Sequence, residues 1–307
     1  MIAAVIFFCA FSWETQVEDR YYHSQFDLPK WEGTYSNHIQ DKPNDDYQFY
    51  SICGPFSLAC IEQHRNKLTN LLATQQSIPT DVFVWSVGEP QQPYLTKTGG
   101  MPYWPRDREW PTSNDGVPLN FIAQMCFLDS SDVVEDLPGD VLLLFCKGDV
   151  FSPDEFEVRW AKVADDTTLW TLEEAPQESE NSKVPKLFGS IFRSKDYFQG
   201  PSQAIKDVDN RYDNSKLFIF NAFKIGGEAT YVQNNTKRDN ERFVCQFSSI
   251  VPIPGYSFLN LQELPNRRTS PMSYSKGFSL PLGDGGVICV YQDLENRDQF
   301  RVEFETH

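Results

Sequence analysis

The chain has 307 residues, with 27 Lys and Arg against 43 Asp and Glu, a formal charge of −16. Its 40% hydrophobic and 14% aromatic content excludes a disordered chain and allows one large or two modest domains with a real core. The charge argues against nucleic-acid binding and against anionic membrane surfaces, since both need clustered Lys and Arg.

Ile2 to Phe11 is almost wholly apolar, and Ala10-Phe11-Ser12 resembles a small-residue cleavage site. No Lys or Arg precedes this run, which is short for a signal core and too short to span a bilayer. A buried first strand in a cytoplasmic protein is expected, with secretion as the alternative if residues 1–12 are a signal segment. Residues 12–50 are polar and turn-rich and take no assignment. Gly54-Pro55 opens a predicted helix over about 55–74, with proline in the first turn and Leu58, Ile61, Leu68 and Leu72 at helical spacing.

From Asp81 the pattern turns to strands. Val82 to Val87 is a continuous apolar run. In 118–128, Leu119, Phe121, Ala123, Met125 and Phe127 are predicted to share one face, opposite Asn120, Ile122, Gln124 and Cys126. Val141 to Cys146 reads as a buried strand, and Phe156, Val158 and Trp160 alternate with Glu157 and Arg159. Glu173 to Lys186 reads as a loop, and strands are expected again at 217–223, 243–250, 287–291 and 300–304. The proline-rich region 252–281 reads as a long excursion. The expected fold class is α+β and β-rich: an extension with a helix over 1–75, then a domain over 76–307.

Seven cysteines, Cys9, Cys53, Cys60, Cys126, Cys146, Cys245 and Cys289, are odd in number and lack short paired spacings, so no disulfide framework is expected. Four histidines and no Cys-x-x-Cys predict no zinc site, and nothing predicts a cofactor. Residues 129–180 hold 15 acidic side chains against Lys147, Arg159 and Lys162. Within that segment Asp154, Glu155, Glu157, Asp165 and Asp166 form the expected acidic patch, either a solvated face or a landing surface for a basic partner.

A weak duplication runs through the β-rich part. Lys97-Thr98-Gly99-Gly100 recurs as Lys224-Ile225-Gly226-Gly227, and Phe121-Ile122-Ala123-Gln124 as Phe243-Val244-Cys245-Gln246. Gly139-Asp140 and Gly283-Asp284 each precede an apolar strand. Two related halves are expected, over about 80–200 and 215–307.

These residues also carry a family resemblance. Lys97 to Pro105 with Trp110-Pro111, Pro118-Leu119 to Gln124 and Leu137-Pro138-Gly139 resemble the first half of the YwqG-like family, and Lys224 to Gly227, Val232-Gln233 and Leu282 to Val287 its second half. The chain departs at Leu282, where tryptophan is usual, and at Glu228-Ala229, where an aromatic and a proline are usual. The resemblance covers roughly 80–307. It implies a compact α+β fold of two related β halves, no settled enzymatic activity, and in some members an immunity-type role toward secreted toxins.

The candidate binding residues are Gly99, Gly100, Trp104, Trp110, Gln124, Gly226, Gly227, Gln246 and Asp284. The double glycines make tight turns or, with Lys97 or Lys224 beside them, a backbone nest for a small anion. The glutamines satisfy backbone groups between halves, and the tryptophans cap the core or anchor a partner. Cys53, just ahead of the predicted helix, is the one candidate nucleophile, as in some papain-like peptidases. It lacks a histidine base: His64 lies about three turns along the same predicted helix, and only His307 follows. The expected function is non-enzymatic binding of a basic protein, with a Cys53 hydrolase or a small-anion module at the Gly-Gly turns as alternatives.

Overall fold

Apolar alternation and β-branched runs make the chain extended, and extended segments must pair their backbone groups. The computed structural model describes residues 49–50, 65, 69–149, 152–176, 184–197, 219–233, 237–250, 258–260, 280, 282–283 and 285–306. Its strands are β1 (Phe49–Tyr50), β2 (Ser77–Val87), β3 (Lys97–Thr98), β4 (Asn120–Cys126), β5 (Val141–Asp149) and β6 (Ser152–Ala161). They continue as β7 (Leu187–Tyr197), β8 (Lys224–Gly226), β9 (Glu241–Ser248), β10 (Phe258–Asn260), β11 (Val287–Asp293) and β12 (Phe300–Glu305).

The main path through the sheet is β12-β11-β9-β8-β2-β7-β3-β4-β5-β6, and each neighbouring pair along it is antiparallel. β10 lies parallel to β2, and β1 pairs with β10. The path is palindromic about the β2–β7 pair. Lys97 faces Phe188 as Lys224 faces Val82, and Thr98 faces Leu187 as Ile225 faces Asp81. The strands interleave: β3 lies on β7, whereas β8 lies on β2. No helix among the described residues is long and apolar enough to cross a membrane.

Three expectations are corrected. Where the predicted helix over 55–74 is described, helix occurs at Arg65 and in a single turn, α1 (Thr69–Leu72). Among the described residues no helix reaches seven residues, so the fold is β-rich without the predicted N-terminal helix and not α+β. Thr69 and Asn70 are exposed, and Leu72 is buried. Second, residues 219–223 are not strand; pairing begins at Lys224. Third, a register shift between Phe121 and Ala123 breaks the single face expected of 118–128. This bulge sends Phe121 outward and Ile122, Ala123 and Met125 inward.

The sheet curls around an inner core that includes Trp85, Ile122, Leu144, Phe223, Val244, Phe247 and Val290. Its terminal strands, β6 and β12, meet through side chains, with Phe156 against Phe304 at 5.0 Å and Trp160 against Phe300 at 5.3 Å between ring centroids. Two outer clusters flank the curl: Tyr103, Trp104, Phe121, Leu143 and Phe145 on one side, and Ala229, Phe243, Cys289 and Tyr291 on the other. Each centres on an edge-on aromatic pair, Phe121–Phe145 at 5.7 Å and Phe243–Tyr291 at 5.9 Å.

The aromatic seam therefore carries the closure. Phe304→Ala is expected to lower unfolding free energy by about 2–3 kcal/mol, measured by urea denaturation. The exposed Leu294→Ala should stay within about 0.5 kcal/mol of the parent.

Candidate functional site

Two stations of the same design flank the β2–β7 pair. In each, a lysine on a short strand lies opposite a glutamine, Lys97 opposite Gln124 and Lys224 opposite Gln246. Gln124 accepts the Tyr103 N–H at 2.8 Å and donates to the carbonyls of Pro93 and Leu95, both at 2.8 Å. Gln246 accepts the Thr230 N–H at 2.8 Å and donates to the Ala222 carbonyl at 3.2 Å and Ser248 Oγ at 2.9 Å. Both glutamines are fully buried, and both hold the loop segment that leads into the lysine.

The double glycine after each lysine is left-handed at both positions, with φ of +60° and +68° at Gly99 and Gly100, and +68° and +76° at Gly226 and Gly227. The second glycine is required for space as well as for φ. A Cβ on Gly100 would collide with the Glu89 carboxylate, and one on Gly227 with that of Asp196. Beside each lysine stands one of the chain's own carboxylates, Asp196 accepting two backbone N–H groups and Glu89 none among the described residues. Asp196 accepts Lys224 Nζ at 2.9 Å, the Phe220 N–H at 3.0 Å and the Glu228 N–H at 3.1 Å. Glu89 accepts Lys97 Nζ at 3.1 Å and pairs with Lys186 Nζ at 3.3 Å.

The stations differ in access. The Lys224 and Asp196 side chains are both 0% exposed. At the other station the Lys97 side chain is 5% exposed, Glu89 40% and Lys186 60%. Burial makes the Lys97 ammonium less basic than an ordinary lysine, and Glu89 offsets this only in part.

Above the outer face of β4 and β5 lies a cap built from 101–111 and 163–175. Its indole N–H groups are all spent internally: Trp104 on the Glu109 carbonyl at 3.0 Å, Trp110 on that of Leu119 at 2.9 Å, and Trp170 on that of Arg108 at 3.0 Å. Trp104 is a core residue, whereas Trp110 is partly exposed and packs edge-on against Trp170 at 5.7 Å. Two exposed arginines stack on this framework, Arg106 on Trp170 and Arg108 on Trp104, each at 4.3 Å. Leu172, beside Trp170, is 79% exposed. Leu172, Arg106 and Arg108 went unremarked in the sequence, because exposure has no local signature.

The acidic segment is less uniform than its sum suggests. Asp132 pairs with Arg193 at 2.7 Å and Glu174 with Arg106 at 3.0 Å, while Asp136 pairs with Arg297 and Glu157 with Arg159. Glu155 is half-buried opposite Lys147, and Asp154 shares its strand. Asp165, Asp166 and Glu173 are exposed and make no ion pair among the described residues. Asp140 instead braces a turn, accepting the Val163 N–H at 2.8 Å.

Cys126, Cys146, Cys245 and Cys289 are free and buried. Burial pushes the thiols of Cys126 and Cys289 up to about 12, and that of Cys245 well above its ordinary value. Cys53 and Asp284 lie outside the described residues. No cluster of metal-ligating side chains occurs among the described residues.

A family model described as a domain of unknown function (DUF1963) matches residues 96–257, a span that takes in both lysines, both glutamines and the cap. No curated protein matches the chain.

Removing one member of the sealed pair leaves a buried charge uncompensated. Asp196→Ala is expected to cost about 3–5 kcal/mol in urea denaturation. The double change Lys224→Met with Asp196→Asn should recover most of it, and Glu89→Ala, at the water-accessible station, should cost less than half as much. Native protein should also keep all four described thiols unreactive toward iodoacetamide until it unfolds, as mass mapping of the alkylated residues would report.

Proposed function

The chain belongs to the DUF1963 family, and from that premise we propose that it is a non-enzymatic interaction protein that binds a basic protein partner on the cap over β4 and β5. The observation that carries this reading is Leu172, a large apolar side chain 79% exposed on the loop that also presents Asp165, Asp166 and Glu173. An apolar anchor on a rigid aromatic base, rimmed by unpaired carboxylates, suits a partner with a small pocket among lysines and arginines. The carboxylates steer the encounter, and the anchor sets the lifetime of the complex.

The internal engagement of the other polar candidates supports the same reading. Gln124, Gln246, Lys224 and Asp196 are committed to holding the sheet, and the described thiols are buried. Within this reading the acidic surface moves from β6 to the cap, because Glu157 is paired and Glu155 half-buried. The YwqG-like resemblance, without settled enzymatic activity, is compatible with it, and within this proposal the basic partner is a toxin that the chain binds as an immunity-type protein.

The test compares two baits in lysate of the source cell, the parent and a Leu172→Asp variant, followed by kinetics with any basic protein retained. The variant should bind at least about tenfold more weakly, through faster dissociation. Asp165→Lys with Asp166→Lys should instead slow association and flatten its salt dependence. A partner that binds parent and both variants with the same kinetics would remove the cap from consideration.

A further inference from the structure

We propose that the Lys97 station is a binding site for a small carboxylate anion, held shut by the chain's own Glu89, which the incoming carboxylate displaces. This inference is independent of the partner reading above, since it concerns a different class of ligand and uses neither Leu172 nor the carboxylates of the 163–175 loop.

The sealed station shows what this frame of donors recognises. There a single carboxylate, that of Asp196, receives a lysine ammonium and two backbone N–H groups at 2.9–3.1 Å. The Lys97 station repeats the frame in part: the same strand register, the same pair of left-handed glycines, and the Met101 N–H in the place of the Glu228 N–H, while Pro93, which has no N–H, stands in the place of Phe220. It uses the frame less fully. Glu89 engages only the two lysines, and the Met101 N–H donates to no described residue. A carboxylate seated as Asp196 is seated would reach both Lys97 and Met101.

The latch is built to leave. Asp196 is fixed within β7, with its side chain 0% exposed. Glu89 follows β2 on a loop, is 40% exposed, and is preceded by Gly88 at φ +108° in open space. Rotation about Gly88 swings the carboxylate into water, where it is well solvated, and leaves Lys97 and Lys186 facing the vacated place. Lys97 gains most from a new anion, because its burial is only partly compensated by Glu89. As a tethered competitor, Glu89 acts at an effective concentration on the order of millimolar or higher.

The experiment titrates acetate and succinate against sodium chloride at matched ionic strength, following the backbone amides of Gly99, Gly100 and Met101 by NMR in the full chain. The parent is compared with Glu89→Gln, Lys186→Gln and Lys97→Met. Glu89→Gln, which keeps the shape and removes the charge, should bind carboxylate at least about tenfold more tightly than the parent. Lys186→Gln should bind more weakly than the parent, and Lys97→Met should show no saturable change. Absence of a saturable shift in Glu89→Gln would overturn the proposal, as would equal binding by Glu89→Gln and Lys186→Gln should Lys97→Met fail to fold. Inorganic phosphate, titrated in the same way, should compete poorly; a response equal to that of acetate would overturn the assignment to carboxylates.

Discussion

The antiparallel pairing of β2 with β7 is the contact on which the rest of the molecule stands. It runs along all eleven residues of each strand, from Ser77 opposite Tyr197 to Val87 opposite Leu187. Each of these strands then carries the short lysine strand that belongs to the other's run of sequence, β8 on β2 and β3 on β7. A slip of one residue in this pairing would turn Phe83 and Trp85 out of the core and displace both stations together. The buried Lys224–Asp196 pair adds little net stability by burial of charge, but any other register would leave one charge alone. The pair therefore acts mainly to specify the register.

The palindromic sheet places matching elements on its two sides, and the two sides differ in detail. The aromatic pairs Phe121–Phe145 and Phe243–Tyr291 keep nearly the same geometry, because packing at a shared outer face constrains them alike. What lies above them differs. One side carries the long cap with Trp104, Trp110 and Trp170. The other carries the short Tyr231-Val232 segment, where Glu305 accepts the N–H groups of Val232 and Gln233. One lysine station is sealed and serves the fold; its copy is open to water and has a carboxylate on a loop.

Charge behaves in the same non-local way. The segment 129–180 sums to a strongly negative stretch, yet Arg106, Arg193 and Arg297 reach it from distant parts of the chain. A sheet brings residues more than a hundred positions apart to hydrogen-bonding distance, so local sums overstate the field that a partner meets. Asp165, Asp166 and Glu173 on the 163–175 loop are among the described carboxylates that make no ion pair.

The strands at 82–87, 141–146, 243–248, 287–291 and 300–304 were legible from apolar runs and alternation, because burial of one or both faces selects apolar side chains at the positions it covers. So were the matched Lys-x-Gly-Gly and Phe-x-x-Gln elements, since left-handed turns require glycine and buried backbone requires a partner. The sequence did not disclose that the carboxylates beside the lysines are Glu89 and Asp196, which lie 8 and 28 residues from their lysines. Nor did it disclose the bulge at Phe121 or the exposure of Leu172. Leucine spacing predicts a helix where the described residues hold helix at Arg65 and over Thr69–Leu72, because four apolar residues over about four turns do not by themselves distinguish a packed face from a chance one. Local pattern determined which residues extend and which turn. Only the tertiary structure decided which charges meet, because those distances are set by strand order, and strand order is a property of the whole sheet.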